Sequence, residues 1–244
     1  MNSTSLNPSS LPAAVRYHRQ LILPEIGEEG QRRLHEARVL VVGVGGLGSP
    51  IALYLAGAGV GHIGLVDDDV VSASNLQRQV LYTEAEVGLP KAIQARQRLL
   101  TLNSGITVEA YPCRLTTENA ESLINSYDII VDGCDNFATR YLLNDTCVQL
   151  GKVYVYGAIR AFDGQVSVFN YAGGPTYRDL FPDEEALYTL PEPPKGVLGI
   201  TPGVVGCIEA TEVLKIIGGY GEVLSGKLWT IDLKTLQSHL LEFA

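Results

Sequence analysis

Val39-Leu40-Val41-Val42-Gly43-Val44-Gly45-Gly46-Leu47-Gly48 is the stretch that decides the fold. Four apolar residues, three of them β-branched, run straight into a glycine-rich turn, so a buried strand hands over to a helix there. Backbone N–H groups in such a turn can surround phosphate oxygens, helped by the helix dipole. Taken alone, the loop suits NAD, FAD or ATP equally. Val39 to Val66 carries no Asp, Glu, Lys or Arg, a length that would suit a membrane helix. Eight glycines and Pro50 interrupt it, and that punctuation fits strand, loop, helix and strand instead.

Working outward, strand one is Arg38–Val42, and Ser49-Pro50 supply a cap and first-turn proline for a helix to about Ala58, stopped by Gly59. Strand two, Ile63–Val66, ends in Asp67-Asp68-Asp69. Thr83-Glu84-Ala85-Glu86 reads as a capping box. Pro90 opens a helix to Leu102 that places Lys91 in its first turn, where a cation opposes the helix dipole and calls for an anionic partner. Ile106–Tyr111 and Asp128–Val131 are further strands, Glu118–Asn125 and Phe137–Leu150 helices. Lys152–Ile159 and Gly164–Asn170 form an antiparallel hairpin, a helix covers about Val204–Ile217, and Lys227–Leu241 closes the sheet. The class is therefore α/β: a Rossmann-like, doubly wound, mostly parallel sheet with an antiparallel C-terminal extension. Residues 1–12 are expected to be a disordered tail, 13–244 one ATP-binding domain, and 171–203 a mobile crossover loop.

A net charge of −9 argues against a broad nucleic-acid surface. Cys113, Cys134, Cys147 and Cys207 form no C-x-x-C pair, as in a reduced cytoplasmic protein, and the N-terminal residues show no secretory pattern. Among candidate site residues, Asp67 can accept hydrogen bonds from a ribose, with Asp68 and Asp69 as competitors and a helix cap or solvated turn as its plain alternative. Arg78 and Lys91 can neutralise phosphates and the charge on a leaving pyrophosphate. Asp135 can hold Mg²⁺ with phosphate oxygens, with Asp132 as rival ligand and capping of the helix at Phe137 as the alternative role. Asn75 and Gln79 are either ligands or turn residues.

Five segments occur in order after Arg16-Tyr17-His18-Arg19-Gln20: the glycine loop, Asn75-Leu76-Gln77-Arg78-Gln79, Gly88-Leu89-Pro90-Lys91, Asp132-Gly133-Cys134-Asp135-Asn136 and Gly203 through Glu212. On these the chain resembles the MoeB/ThiF/HesA family, bacterial relatives of the ubiquitin-activating enzymes. The resemblance implies ATP-dependent adenylation of the C-terminal glycine of a ubiquitin-like sulfur-carrier protein ending in Gly-Gly. It implies that Arg78 and Lys91 clamp phosphates and that Asp67 binds ribose. By the same analogy Asp135 holds Mg²⁺ and Asn75 positions the nucleotide, within a binding set of Gly43, Gly45, Gly46, Gly48, Gln79 and Asn136. It also implies a homodimer in which Arg19 reaches the neighbour's site.

Departures from that pattern set further expectations. The family's first zinc-ligating C-x-x-C reads Thr176-Tyr177-Arg178-Asp179 here and the second is missing, so no zinc is expected. The crossover position used by some relatives for a transfer cysteine falls near Glu192, and residues 171–203 contain none. Cys134 and Cys207 read as buried small residues. A separate sulfur donor is expected, with no membrane partner. The competing readings are a tRNA-modifying relative that forms cyclic threonylcarbamoyladenosine, a non-catalytic scaffold subunit and, last, a nicotinamide dehydrogenase.

Overall fold

Strand β1 (Arg38–Val42) lies at the centre of the sheet because its side chains serve two cores at once. Val39 and Val41 enter one hydrophobic cluster, Leu40 and Val42 the other, following the two-residue period of a strand. The computed structural model describes residues 13–189 and 196–243. The expected tail at 1–12, the crossover position near Glu192 and Ala244 lie outside them.

The chain opens with α1 (Ala13–Arg16), α2 (His18–Leu21) and α3 (Gly27–Glu36), followed by β1, α4 (Gly48–Ala58) and β2 (His62–Val66). Two 3₁₀ turns, Ala73–Asn75 and Glu84–Glu86, lead to α5 (Lys91–Leu102), β3 (Thr107–Tyr111), α6 (Ala120–Asn125) and β4 (Ile129–Asp132). Then come α7 (Phe137–Leu150) and the hairpin β5 (Val153–Arg160) and β6 (Asp163–Phe169). The remaining elements are α8 (Tyr177–Leu180), α9 (Glu184–Thr189), α10 (Ile200–Gly218), β7 (Lys227–Asp232) and β8 (Gln237–Glu242).

The sheet order is β3-β2-β1-β4-β5-β6-β7-β8. Pairing is parallel from β3 through β5 and antiparallel beyond, as the alternation of strands and helices requires. Leu34 of α3 joins residues of α4, α5 and α10 in one core, while α6, α7 and Tyr177 of α8 fill the other. The order reverses between β1 and β4, the switch point where open α/β sheets carry ligands. The uncharged run Val39–Val66 is thus β1, α4 and β2, and among the described residues no helix is long and apolar enough to cross a membrane.

Several boundaries shift by one or two residues from expectation, and three differences bear on the site or the core. Leu47, not Ser49, precedes the first residue of α4; Ser49 lies inside the first turn, where its hydroxyl donates to the Gly45 carbonyl at 2.6 Å. Helix α10 starts at Ile200 rather than near Val204 and includes Pro202 in its first turn, which needs no N–H there. Within 171–203, expected as a mobile crossover loop, the chain forms α8 and α9. A capping box joins Thr176 to Asp179, and fully buried Tyr177 packs edge-on against Tyr141 and Phe169.

Candidate functional site

The glycine loop after β1 is built by close approach of backbones. Gly43 has φ +88°, and a Cβ there would meet the Gly133 carbonyl at 2.6 Å. A Cβ on Gly133 or Gly48 would overlap the Gly43 carbonyl. The loops that follow β1 and β4 therefore lie backbone against backbone. A Cβ at Gly46 would meet Pro202 of α10 at 3.1 Å, so α10 closes the other side. Among the described residues the N–H groups of Gly45, Gly46 and Leu47 find no acceptor. They stand at the N-terminus of α4, where orphan donors and the helix dipole favour an anion.

The end of β2 braces this loop. Asp67 accepts from the Val44 N–H at 2.7 Å through one carboxylate oxygen and from the Asp69 N–H at 2.9 Å through the other. Burial pushes its carboxyl above the usual range, opposed by those two bonds and by Lys91. Each oxygen keeps one lone pair for a further donor. Asp68 points elsewhere, 3.7 Å from Arg114. Lys91 is buried, and the anionic partner that its place at the head of α5 demands is Asp69, at 2.8 Å.

Arg78 and Gln79 reach the same loop from the segment after the first 3₁₀ turn. Asn75 accepts from the Ser72 N–H at 3.3 Å, closing a capping box that fixes this turn. The Arg78 guanidinium donates to the Ser74 carbonyl at 3.0 Å, and its Cδ would stand 3.8 Å from a Cβ on Gly46. Gln79 is buried, with its amide nitrogen facing Gly45 and its Oε1 without a partner among the described residues.

The loop after β4 separates its two acids. Asp132 is fully buried and accepts from Arg140 at 3.0 Å, Tyr154 at 2.9 Å and the Cys134 N–H at 2.8 Å. It is a structural hub, which removes it as the rival metal ligand. Asp135 is exposed. The cap of α7 is Asn136, whose side chain accepts from the Thr139 N–H at 2.9 Å, so Asp135 is free of the capping role. That bond engages the side-chain carbonyl oxygen of Asn136, a residue expected to line the nucleotide, and its amide nitrogen donates to Asp135 at 3.5 Å.

Arg19 does not join the cluster. It is exposed on α2, whose Gln20 bonds the Ala58 carbonyl at the far end of α4 from the glycine loop. Eleven residues of α4 at a rise of 1.5 Å each separate the two ends by about 16 Å.

Sequence reading missed several supports, because each is defined by neighbours remote along the chain. The Tyr82 hydroxyl donates to the Val44 carbonyl at 2.8 Å, Arg140 and Tyr154 hold Asp132, and Pro202 covers Gly46. Cys134 and Cys147 have thiols pushed well up by burial, and half-buried Cys207 is raised for the same reason. None has the lowered pKa of an activated nucleophile. Among the described residues no group of three or more His, Cys, Asp or Glu side chains is placed to hold a metal ion.

A doubly wound sheet with orphan amides and two cations beside its switch point makes an α/β domain with an anion-accepting edge. The model of the ThiF family matches residues 17–244, and the chain belongs to that family. It is 52% identical over 223 residues to a sulfur carrier protein adenylyltransferase of Thermus thermophilus, covering 89% of this chain and 82% of that protein. It is 48% identical over 230 residues to a probable molybdopterin-synthase adenylyltransferase of Porphyra purpurea, covering 93% of this chain but only 60% of that relative's length. Among solved structures, E. coli MccB with ATP superimposes with a TM-score of 0.82 at 25% identity, covering 94% of this chain and 72% of the other. PaaA superimposes with a TM-score of 0.83 at 22% identity, covering all of this chain and 86% of the other, which supports the fold.

Proposed function

We propose that this chain uses ATP to adenylate the C-terminal glycine of a ubiquitin-like sulfur-carrier protein. The observation that carries the reading is the convergence of three amides without acceptors, Arg78 and Lys91 on one sheet edge, which suits several phosphates in a row. The relatives named as adenylyltransferases supply the reaction class.

In this reading the carrier's terminal carboxylate attacks the α-phosphorus of ATP. The bond from that phosphorus to the bridging oxygen breaks, pyrophosphate leaves with its charge facing Arg78 and Lys91, and an acyl-adenylate remains. Asp67 receives the ribose hydroxyls on its remaining lone pairs, with Asn75, Gln79 and the amide nitrogen of Asn136 lining the nucleotide. Asp135 fits a Mg²⁺ ligand, being an exposed carboxylate committed to no cap; one such group plus phosphate oxygens is the usual magnesium environment. The ion would supply charge neutralisation along the phosphates. Arg19, exposed on α2 beside the end of α4 opposite its own loop, serves a second copy of the chain, so the working form is a homodimer. The adenylated carrier then takes sulfur from a separate donor, and the setting is cytoplasmic.

Intact-mass spectrometry of the carrier after incubation with the protein, ATP and Mg²⁺ tests this directly. The expected result is a carrier adenylate that forms only when the terminal Gly-Gly is present. ATP consumption with no adduct on any carrier would overturn it.

A further inference from the structure

Lys91 poses an electrostatic problem that the site solves in an unusual way. Its side chain is only 5% exposed, and it heads α5, where the helix dipole disfavours a cation. A buried ammonium without an anion is costly. The buried carboxylate at the end of β2, Asp67, spends one lone pair of each oxygen on the glycine-loop N–H of Val44 and on Asp69 N–H. The charge is met by Asp69, at 2.8 Å, whose side chain is 70% exposed.

The backbones of the two partners are fixed. The Lys91 N–H donates to the Asp69 carbonyl at 2.9 Å, Val71 N–H to Leu89 at 2.9 Å and Gly88 N–H to Val71 at 2.8 Å. Val70 and Pro90 form an antiparallel bridge between them. Lys91 cannot leave, whereas the short, solvent-facing carboxylate of Asp69 can swing into water at the loss of one hydrogen bond.

We propose that Asp69 is an exchangeable stand-in anion: it occupies the Lys91 ammonium while the site is empty and is displaced when a nucleotide phosphate arrives. This rests on the reading of the site as an ATP site and assigns a residue that tunes its affinity. Asp69 thereby keeps the buried charge compensated between turnovers and sets a threshold that weakly anionic ligands do not cross. Two anions compete for one ammonium, so removing one of them strengthens the hold on the other.

Calorimetric titration with ATP of the full-length wild-type chain, Asp69→Asn and Asp69→Glu tests the proposal. Asp69→Asn is expected to bind ATP about fivefold more tightly, the scale of a partly exposed ion pair, and Asp69→Glu about as the wild type does. A residue that merely supports the fold would loosen binding or leave it unchanged, and either result for a folded Asp69→Asn, checked by its thermal melt, overturns the proposal. A crystal structure of the wild-type chain with ATP gives a readout that does not depend on the variant folding. Release of Asp69 from Lys91 supports displacement, and a pair still within hydrogen-bond distance overturns it. Failure of the wild-type chain to bind ATP at all would instead overturn the reading of the site.

Discussion

Glu209 shows how far a single residue can depart from its ordinary chemistry. Its carboxyl is fully buried on α10 against Gly157, where a Cβ would overlap it, and neither oxygen has a partner among the described residues. Burial first, then the charge of Asp132, pushes its pKa well above the ordinary 4.5, with Arg140 opposing. The folded chain therefore keeps a proton that the unfolded chain releases above pH 4.5. Between that pH and the raised native value, stability falls as pH rises, by about 1.4 kcal/mol for each pH unit separating the two pKa values. Glu209→Gln, which keeps the shape and needs no proton, is expected to gain stability over the wild type that is absent at low pH and grows across that window. Urea unfolding at a series of pH values checks this; a difference between variant and wild type that does not change with pH would contradict it. The sequence placed Glu209 within the Gly203–Glu212 segment but did not show its burial, because its isolation comes from strands and helices that meet only in the folded chain.

Elements defined by local signals were legible in the sequence, and those defined by contact were not. The boundaries of β1 and α7 follow their apolar runs and caps, and Gly59 ends α4 with φ +89° as a glycine stop should. Helices α8 and α9 were missed because they are short and held by remote partners. Arg178 of α8 forks onto Asp145 of α7 at 2.7 Å and reaches Glu184 of α9 at 2.9 Å, contacts that no local pattern encodes. The cap of α7 separates two roles for Asn136. Asn136→Asp preserves an acceptor for the Thr139 N–H and is expected to leave stability near that of the wild type, while Asn136→Ala costs about 1 kcal/mol. Thermal melts rank the three chains; equal melting of the alanine variant and the wild type would contradict the capping role.

At the scale of the whole molecule, the sheet order brings the ends of β1, β2 and β4 to one edge, and this much of the site was readable from strand-ending glycines and acids. The distance of Arg19 from that edge was not readable, since it depends on which end of α4 receives α2. It yields a sharp expectation for the proposed dimer. Arg19→Ala and Asp135→Ala chains, each inactive alone, should recover about a quarter of wild-type activity when refolded as an equimolar mixture, because half the dimers are mixed and each has one complete site. No recovery would remove the shared-site account. The central claim, adenylation of a carrier tail, is tested most directly by ATP–pyrophosphate exchange with purified protein, Mg²⁺ and each ubiquitin-like carrier from the same cells. The account predicts exchange that requires one intact carrier, disappears when its last two glycines are removed, is lost in Asp135→Ala and survives Cys207→Ala. Exchange that persists without the Gly-Gly tail, or none with any carrier despite measurable ATP binding, would contradict it.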